Sequence, residues 1–390
     1  MVNTGLELLS NQRSEILGKV GYLCHSASID SKYLHGVEVV KSLFGDRLIK
    51  LFSPQHGIFA DVQDNMVESD HFVHDYYSLP VYSLYSETRK PTAKMLEGLD
   101  HVIIDLQDVG TRVYTYIYTM IYMMEACGES GVEVIILDRP NPIGGEKVEG
   151  NVLDMNFRSF VGRYPLPMRH ALTIGEVAQL AKNFWKVDCD LKVIKMEGWA
   201  RKMTFWDTGL PWVLPSPNLA NIETAFAFVG TVLFEGTNIS EGRGTTKSLE
   251  TLGHPGIRNF ELAKKLNLIF EKEGLEGFVL RPTSFIPTFQ KHKETLCHGF
   301  QVHVTDYQKY EPWKMGQILC REIYHHIGDE FQWKKPPYEY EEKLMPIDIL
   351  NGTDQIRLWV EGDGTFVDLV QIEKEGMAEF LDQRNQILLY

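Results

Sequence analysis

The chain has 390 residues, 44% of them hydrophobic and 24% charged, and a formal net charge of −14. The composition is that of a folded globular protein, and the length makes two domains the expectation. The acidity argues against nucleic acid and anionic membrane surfaces as partners, and no apolar run reaches the roughly 20 residues of a membrane-spanning helix. Met1 to Gln12 lacks the basic start and apolar stretch of a secretion signal, so a cytoplasmic location is expected. Cys24, Cys127, Cys189, Cys297 and Cys320 are scattered and odd in number, which fits reduced thiols rather than a disulfide frame or a zinc site.

In chain order, Val20–Cys24 reads as a first strand and Leu34–Phe44 as a helix. Leu48–Phe52 is a second strand, closed by Ser53-Pro54-Gln55-His56-Gly57. The polar stretch from Gly57 to Asp75 has no periodicity and reads either as a loop over a site or as a solvated loop. Leu79–Ser83 is a strand, Pro91-Thr92 opens a helix to about Leu99, and His101–Asp105 is a strand leading into Asp105-Leu106-Gln107-Asp108-Val109-Gly110-Thr111-Arg112. A long helix follows over Tyr114–Ser130. Glu133–Leu137 is a strand ending in Asp138-Arg139-Pro140-Asn141, Thr173 with Glu176 forms a capping box for a helix to Trp185, and Asp190–Met196 is a strand.

Alternating strands and helices predict an α/β fold. Residues 1–210 read as a Rossmann-like parallel sheet domain without a dinucleotide fingerprint. Pro211, Pro215 and Pro217 break the pattern and mark a linker or a crossing segment. Residues 211–390 read as a smaller α/β domain, with helices near Phe260–Lys272, Pro312–His326 and Gly376–Leu388 and strands near Phe278–Arg281 and Phe300–Val304. Ligands of open α/β sheets bind beyond the carboxyl ends of the strands. The polar clusters after Phe52, Ile104 and Leu137 therefore predict one site there, in a cleft between the two domains.

Several chemistries are excluded. Gly21-Tyr22-Leu23-Cys24-His25-Ser26 is no Gly-x-Gly-x-x-Gly turn, so no nicotinamide or flavin is expected. Thr246 stands where a phosphate loop needs glycine before Lys247, and no Gly-x-Ser-x-Gly elbow exists. No metal or other cofactor is expected, because Cys and His ligands are not clustered. Carboxylates remain: Glu87, Asp105, Asp108, Asp138, Glu235 and Glu241 lie at strand ends or in polar turns. Asp105 and Asp108 either serve the site or cap the helix beginning near Tyr114. His56 and His170 either relay a proton or are structural.

The words Pro-Gln-His-Gly at 54–57, Thr-Arg-Lys-Pro-Thr at 88–92, Asp-Leu-Gln-Asp-Val-Gly-Thr-Arg at 105–112, Leu-Asp-Arg-Pro-Asn-Pro at 137–142, Gly-Arg-Tyr-Pro at 162–165, Pro-Ser-Pro-Asn at 215–218 and Phe-Glu-Gly-Thr-Asn at 234–238 resemble a bacterial family long known only as a domain of unknown function. Its characterised members are exo-acting β-N-acetylmuramidases of cell-wall recycling. The resemblance covers nearly the whole chain. It implies a glycoside hydrolase that releases terminal N-acetylmuramic acid or a related amino sugar from peptidoglycan fragments.

Such a reaction needs an acid for the leaving oxygen and a base, a nucleophile or a participating 2-acetamido group. Glu241, Asp105 and His56 are the catalytic candidates from the residues themselves, and the resemblance adds position 55, here Gln55. It implies Arg112, Tyr114, Asp138, Arg139, Arg163, His170, Asn218, Glu235, Asn238 and Arg243 for substrate, with guanidinium groups suited to the lactyl carboxylate. The family's motif typically carries glutamate where this chain has Gln55, and an amide cannot donate a proton in acid catalysis. A sugar-binding protein with the same cleft is the competing class. The sequence leaves the oligomeric state open.

Overall fold

The structure is a computed structural model and describes residues 1–60 and 68–390. Among these, the strands are β1 (Val20–Cys24), β2 (Leu48–Ser53), β3 (Phe72–His74), β4 (Leu79–Ser83), β5 (His101–Asp105), β6 (Glu133–Leu137), β7 (Glu149–Val152), β8 (Pro167–Arg169), β9 (Leu191–Ile194), β10 (Thr251–His254), β11 (Phe278–Phe285) and β12 (Cys297–Val304). One sheet runs β3-β4-β2-β1-β5-β6-β9. All its neighbours are parallel except the edge strand β3, which is antiparallel to β4. Numbered among themselves, its parallel strands follow the doubly wound order 3-2-1-4-5-6 of the expected Rossmann-like layer.

Both faces of β1 are buried, which is why the central strands read as continuous apolar runs. One face packs on the helix Gly36–Phe44, where Val20, Tyr22, Val37, Val40 and Phe44 share a cluster. The other face packs on the helix Tyr116–Ser130, which ends on the left-handed Gly131. That second cluster does not stop near residue 210. It continues from Leu23 and Phe52 through Phe226 and Trp313 to Ile387. The second half holds the antiparallel sheet β10-β12-β11 and the crossed helices Ile222–Thr231 and Pro312–Ile327. A hairpin from the first half, β7-β8, reaches across to it: Glu149 accepts from Trp313 N and Lys314 N.

Several elements differ from the sequence reading. The helix expected to Leu99 is one turn, Ala93–Leu96, capped by Thr92. β11 and β12 are longer than read because they pair along their whole length. Part of the loop expected over the site folds as β3, and its residues 61–67 lie outside the described residues. Among the described residues, no helix is long and apolar enough to cross a membrane.

Candidate active site

The turn after β2 carries Gln55. His56 and Gly57 both take positive φ, and Gly57 N bonds back to Pro54 O at 3.1 Å. Thr115, at the start of the long helix, donates to Gln55 Oε1 at 2.8 Å, and Tyr116 Oη donates to Gln55 O at 3.3 Å. Tyr116 also donates to Pro215 O at 2.7 Å, which draws the crossing segment over the carboxyl edge of the sheet. That segment brings Ser216 and Asn218 to a narrow cavity of about 60 Å³. Gln55, His56, Tyr114 and Thr115 line it from the first half of the chain, and Glu235, Arg243, Tyr338 and Glu339 from the second.

The second-half groups form a chain of ion pairs and hydrogen bonds. Glu235 stands on the 3₁₀ turn Val232–Gly236. It accepts from Arg243 Nη2 and, at 2.8 Å, from Tyr338 Oη. Arg243 Nε donates to Glu241 at 3.1 Å, and Lys291 Nζ donates to the other Glu241 oxygen at 2.8 Å. The Glu241-Gly242-Arg243-Gly244 turn that aims these groups has both glycines at positive φ, and a side chain at Gly242 would strike the Thr251 carbonyl. Burial alone would raise the Glu241 carboxyl, but Lys291 and Arg243 outweigh it and hold it below the usual range. Burial pushes Glu339 the other way, up to about 7, with the nearby Glu235 adding to the rise and a hydrogen bond from Tyr85 Oη opposing it.

Two wider cavities adjoin. One of about 550 Å³ shares Glu235 with the narrow cavity and is lined by Glu241, Asn238, Lys291, Trp333, Lys334 and Lys335. Another of about 270 Å³ shares Glu339 and is lined by Arg89, Tyr122, Phe160 and Tyr340. Glu235 and Glu339 are thus each shared between the narrow cavity and a wider one.

The structure brings together Gln55, His56, Tyr114, Asn218, Glu235 and Arg243, with Glu241 and Asn238 on the adjoining cavity. It places the remaining candidates elsewhere. Asp105 lies at the switch point beside β1, where Arg139 grips both its oxygens and Tyr22 donates at 2.7 Å. The cavity beside Arg139 is about 10 Å³, room for no more than a water. Asp138 accepts from Gly175 N, Thr173 Oγ1 and Tyr390 Oη and so anchors the helix Ile174–Phe184; burial raises its carboxyl to about 6. Arg112, fully buried, gives its hydrogen bonds to the carbonyls of Asn151, Leu166, Leu350 and Asn351, and burial lowers it to about 10. Arg163 grips Glu125 and Tyr122, and His170 lies 3.3 Å from Asp108 behind the Gly110 turn. Thr115, Lys291, Tyr338 and Glu339 went unread because they sit outside strand-end motifs; only the Pro336-Pro337 run marked a rigid turn near Glu339.

Among the described residues, no group of three or more His, Cys, Asp or Glu is placed to hold a metal. What the cavity offers is two carboxyl groups, Glu235 and Glu339, beside the Gln55 amide.

Comparison with known proteins gives a consistent family. The family description "Exo-beta-N-acetylmuramidase NamZ, N-terminal" matches residues 20–223 and its C-terminal counterpart matches residues 226–390. Peptidoglycan beta-N-acetylmuramidase NamZ of Bacillus subtilis (strain 168) is 40% identical over 391 residues, covering 100% of this chain and 91% of that protein. Two crystal structures of DUF1343 family proteins from Bacteroides fragilis superpose with TM-scores of 0.87 and 0.77, at 30% and 27% identity, each covering 100% of this chain and 99% of the other. The chain therefore belongs to the exo-β-N-acetylmuramidase NamZ family.

Proposed function

We propose that this protein is a glycoside hydrolase that releases terminal N-acetylmuramic acid, or a closely related amino sugar, from peptidoglycan fragments. The observation that carries this reading is the narrow cavity holding Glu235 and Glu339 beside Gln55, with a wider cavity beyond each carboxyl group. A pair of carboxyl groups flanking the scissile bond is the working arrangement of most glycosidases. Family membership supports the same activity.

In this reading the terminal sugar enters the larger cavity, where Lys334 and Lys335 meet its lactyl carboxylate and Trp333 its ring. Glu235, acting as an acceptor, orients the 2-acetamido group so that its oxygen attacks the anomeric carbon. Arg243, itself anchored by Glu241, fixes the position of Glu235. His56, Tyr114 and Asn218 complete the wall. Asp105, Asp138, Arg112, Arg139, Arg163 and His170 then serve by holding the strand ends in place. The five buried, unbridged cysteines support a reducing compartment, and we place turnover in the cytoplasm on recycled fragments.

Release of 4-nitrophenol from its β-N-acetylmuraminide, and of N-acetylmuramic acid from a disaccharide with N-acetylglucosamine, tests this reading. Both are expected. Saturable binding of the disaccharide without release from either substrate would make the protein a sugar-binding relative instead.

A further inference from the structure

Resting on that reading, we propose that Glu339 delivers the proton to the leaving glycosidic oxygen, the role that an amide at position 55 cannot fill. Three geometric observations carry it. Glu339 lines both the narrow cavity with Gln55 and the cavity walled by Arg89, Tyr122, Phe160 and Tyr340, which offers room for the leaving group. It occupies a two-residue hairpin turn closed by reciprocal hydrogen bonds between Tyr338 and Glu341, each 2.9 Å. Both turn residues, Glu339 and Tyr340, have positive φ (44° and 66°), a geometry ordinarily filled by Asn-Gly. A glutamate and a tyrosine held there store backbone strain, and such strain concentrates at functional positions. The Tyr340 ring supports the turn from outside, stacked 3.8 Å from the Arg89 guanidinium, which also lies over Tyr85 at 4.6 Å.

The groups around the carboxyl fit the role. Tyr85 donates to it from beyond β4, Arg89 and Lys334 attract its charged form, and Glu235 opposes that form. With burial the largest influence, the balance leaves the proton on Glu339 up to about pH 7. His56 and Arg243 line the same cavity.

The acetamido oxygen bonds to the anomeric carbon while the bond from that carbon to the glycosidic oxygen breaks. The freed electron pair takes the Glu339 proton, and the leaving sugar departs as a neutral alcohol. Water then attacks the anomeric carbon, giving its proton to the Glu339 carboxylate, and the bond between the anomeric carbon and the acetamido oxygen breaks to restore the acetamide. Glycoside and water become two free sugars, and Glu339 regains its proton.

The experiment compares two leaving groups in Glu339→Gln. A sugar alcohol needs protonation, whereas 4-nitrophenolate does not. The expected result is a loss of about 10²- to 10⁴-fold in kcat/KM on the disaccharide, with less than about tenfold on the 4-nitrophenyl glycoside. The latter turnover also reports that the variant is folded. Undiminished disaccharide turnover would overturn the proposal. Should both substrates fail together, Tyr85→Phe decides. Removing the hydroxyl destabilises the charged carboxyl, so the alkaline limb of kcat/KM must move to higher pH, and an unmoved limb overturns the proposal. An inactive wild type, by contrast, would sink the hydrolase reading itself.

Discussion

Arg112 and Arg243 sit in equally polar sequence motifs, yet one spends its donors on backbone carbonyls and the other on carboxylates. A guanidinium suits both partners, so the residue type was legible in the sequence while its partner was not. The same holds for Asp105 and Glu235. Both are buried acids gripped by arginine, and only the fold shows that one faces the sheet's switch point and the other a cavity. Glu339 was hidden for another reason: it reaches the site through a turn some 280 residues from Gln55, and no local pattern encodes that meeting. Position 55 gives a direct test. Gln55→Glu adds a third carboxyl to a cavity that already holds Glu235 and Glu339, and like charges raise one another's proton affinity. The expected outcome is an alkaline limb shifted to higher pH, with disaccharide turnover at neutral pH changed by less than about tenfold. A rise of about 10² or more in that assay would show that position 55, and not Glu339, is where the proton donor belongs.

At the scale of elements, the parallel strands were readable because each is a short apolar run closed by polar residues, and burial on both faces leaves that pattern undisturbed. The helix Ile222–Thr231 was not, since it is buried all round and shows no amphipathic period. It is fixed by a backbone contact instead. Gly230 and Gly316 face each other where this helix crosses Pro312–Ile327, and a Cβ on Gly230 would overlap the Pro312 carbonyl oxygen. Gly230→Ala must therefore force the two helices apart. Overpacking of this kind costs about 1–3 kcal/mol or more, and the midpoint of urea denaturation is expected to fall accordingly. An unchanged midpoint would mean that the crossing has slack. Because the 3₁₀ turn carrying Glu235 continues this helix, the same variant is expected to lower kcat.

For the whole molecule, the two halves inferred from the sequence share their interior. The continuous apolar cluster, the β7-β8 hairpin capped onto Trp313 and Lys314, and the Arg112 fork into Leu350 and Asn351 all cross the presumed divide. Arg112 behaves as a rivet whose two ends lie in different halves of the gene product. Neither half can then satisfy its own buried groups alone: the first would expose an uncompensated cation, and the second unmet carbonyls, each costing about 1–3 kcal/mol. It follows that the chain suits fragment complementation. Residues 1–210 and 211–390 made separately should aggregate or remain unfolded, whereas made together they should co-purify as a 1:1 pair and regain turnover. The pair's assembly would then report, in one readout, on the interior that the unbroken chain keeps hidden, and two soluble, independently folded pieces would show that interior to be divisible after all.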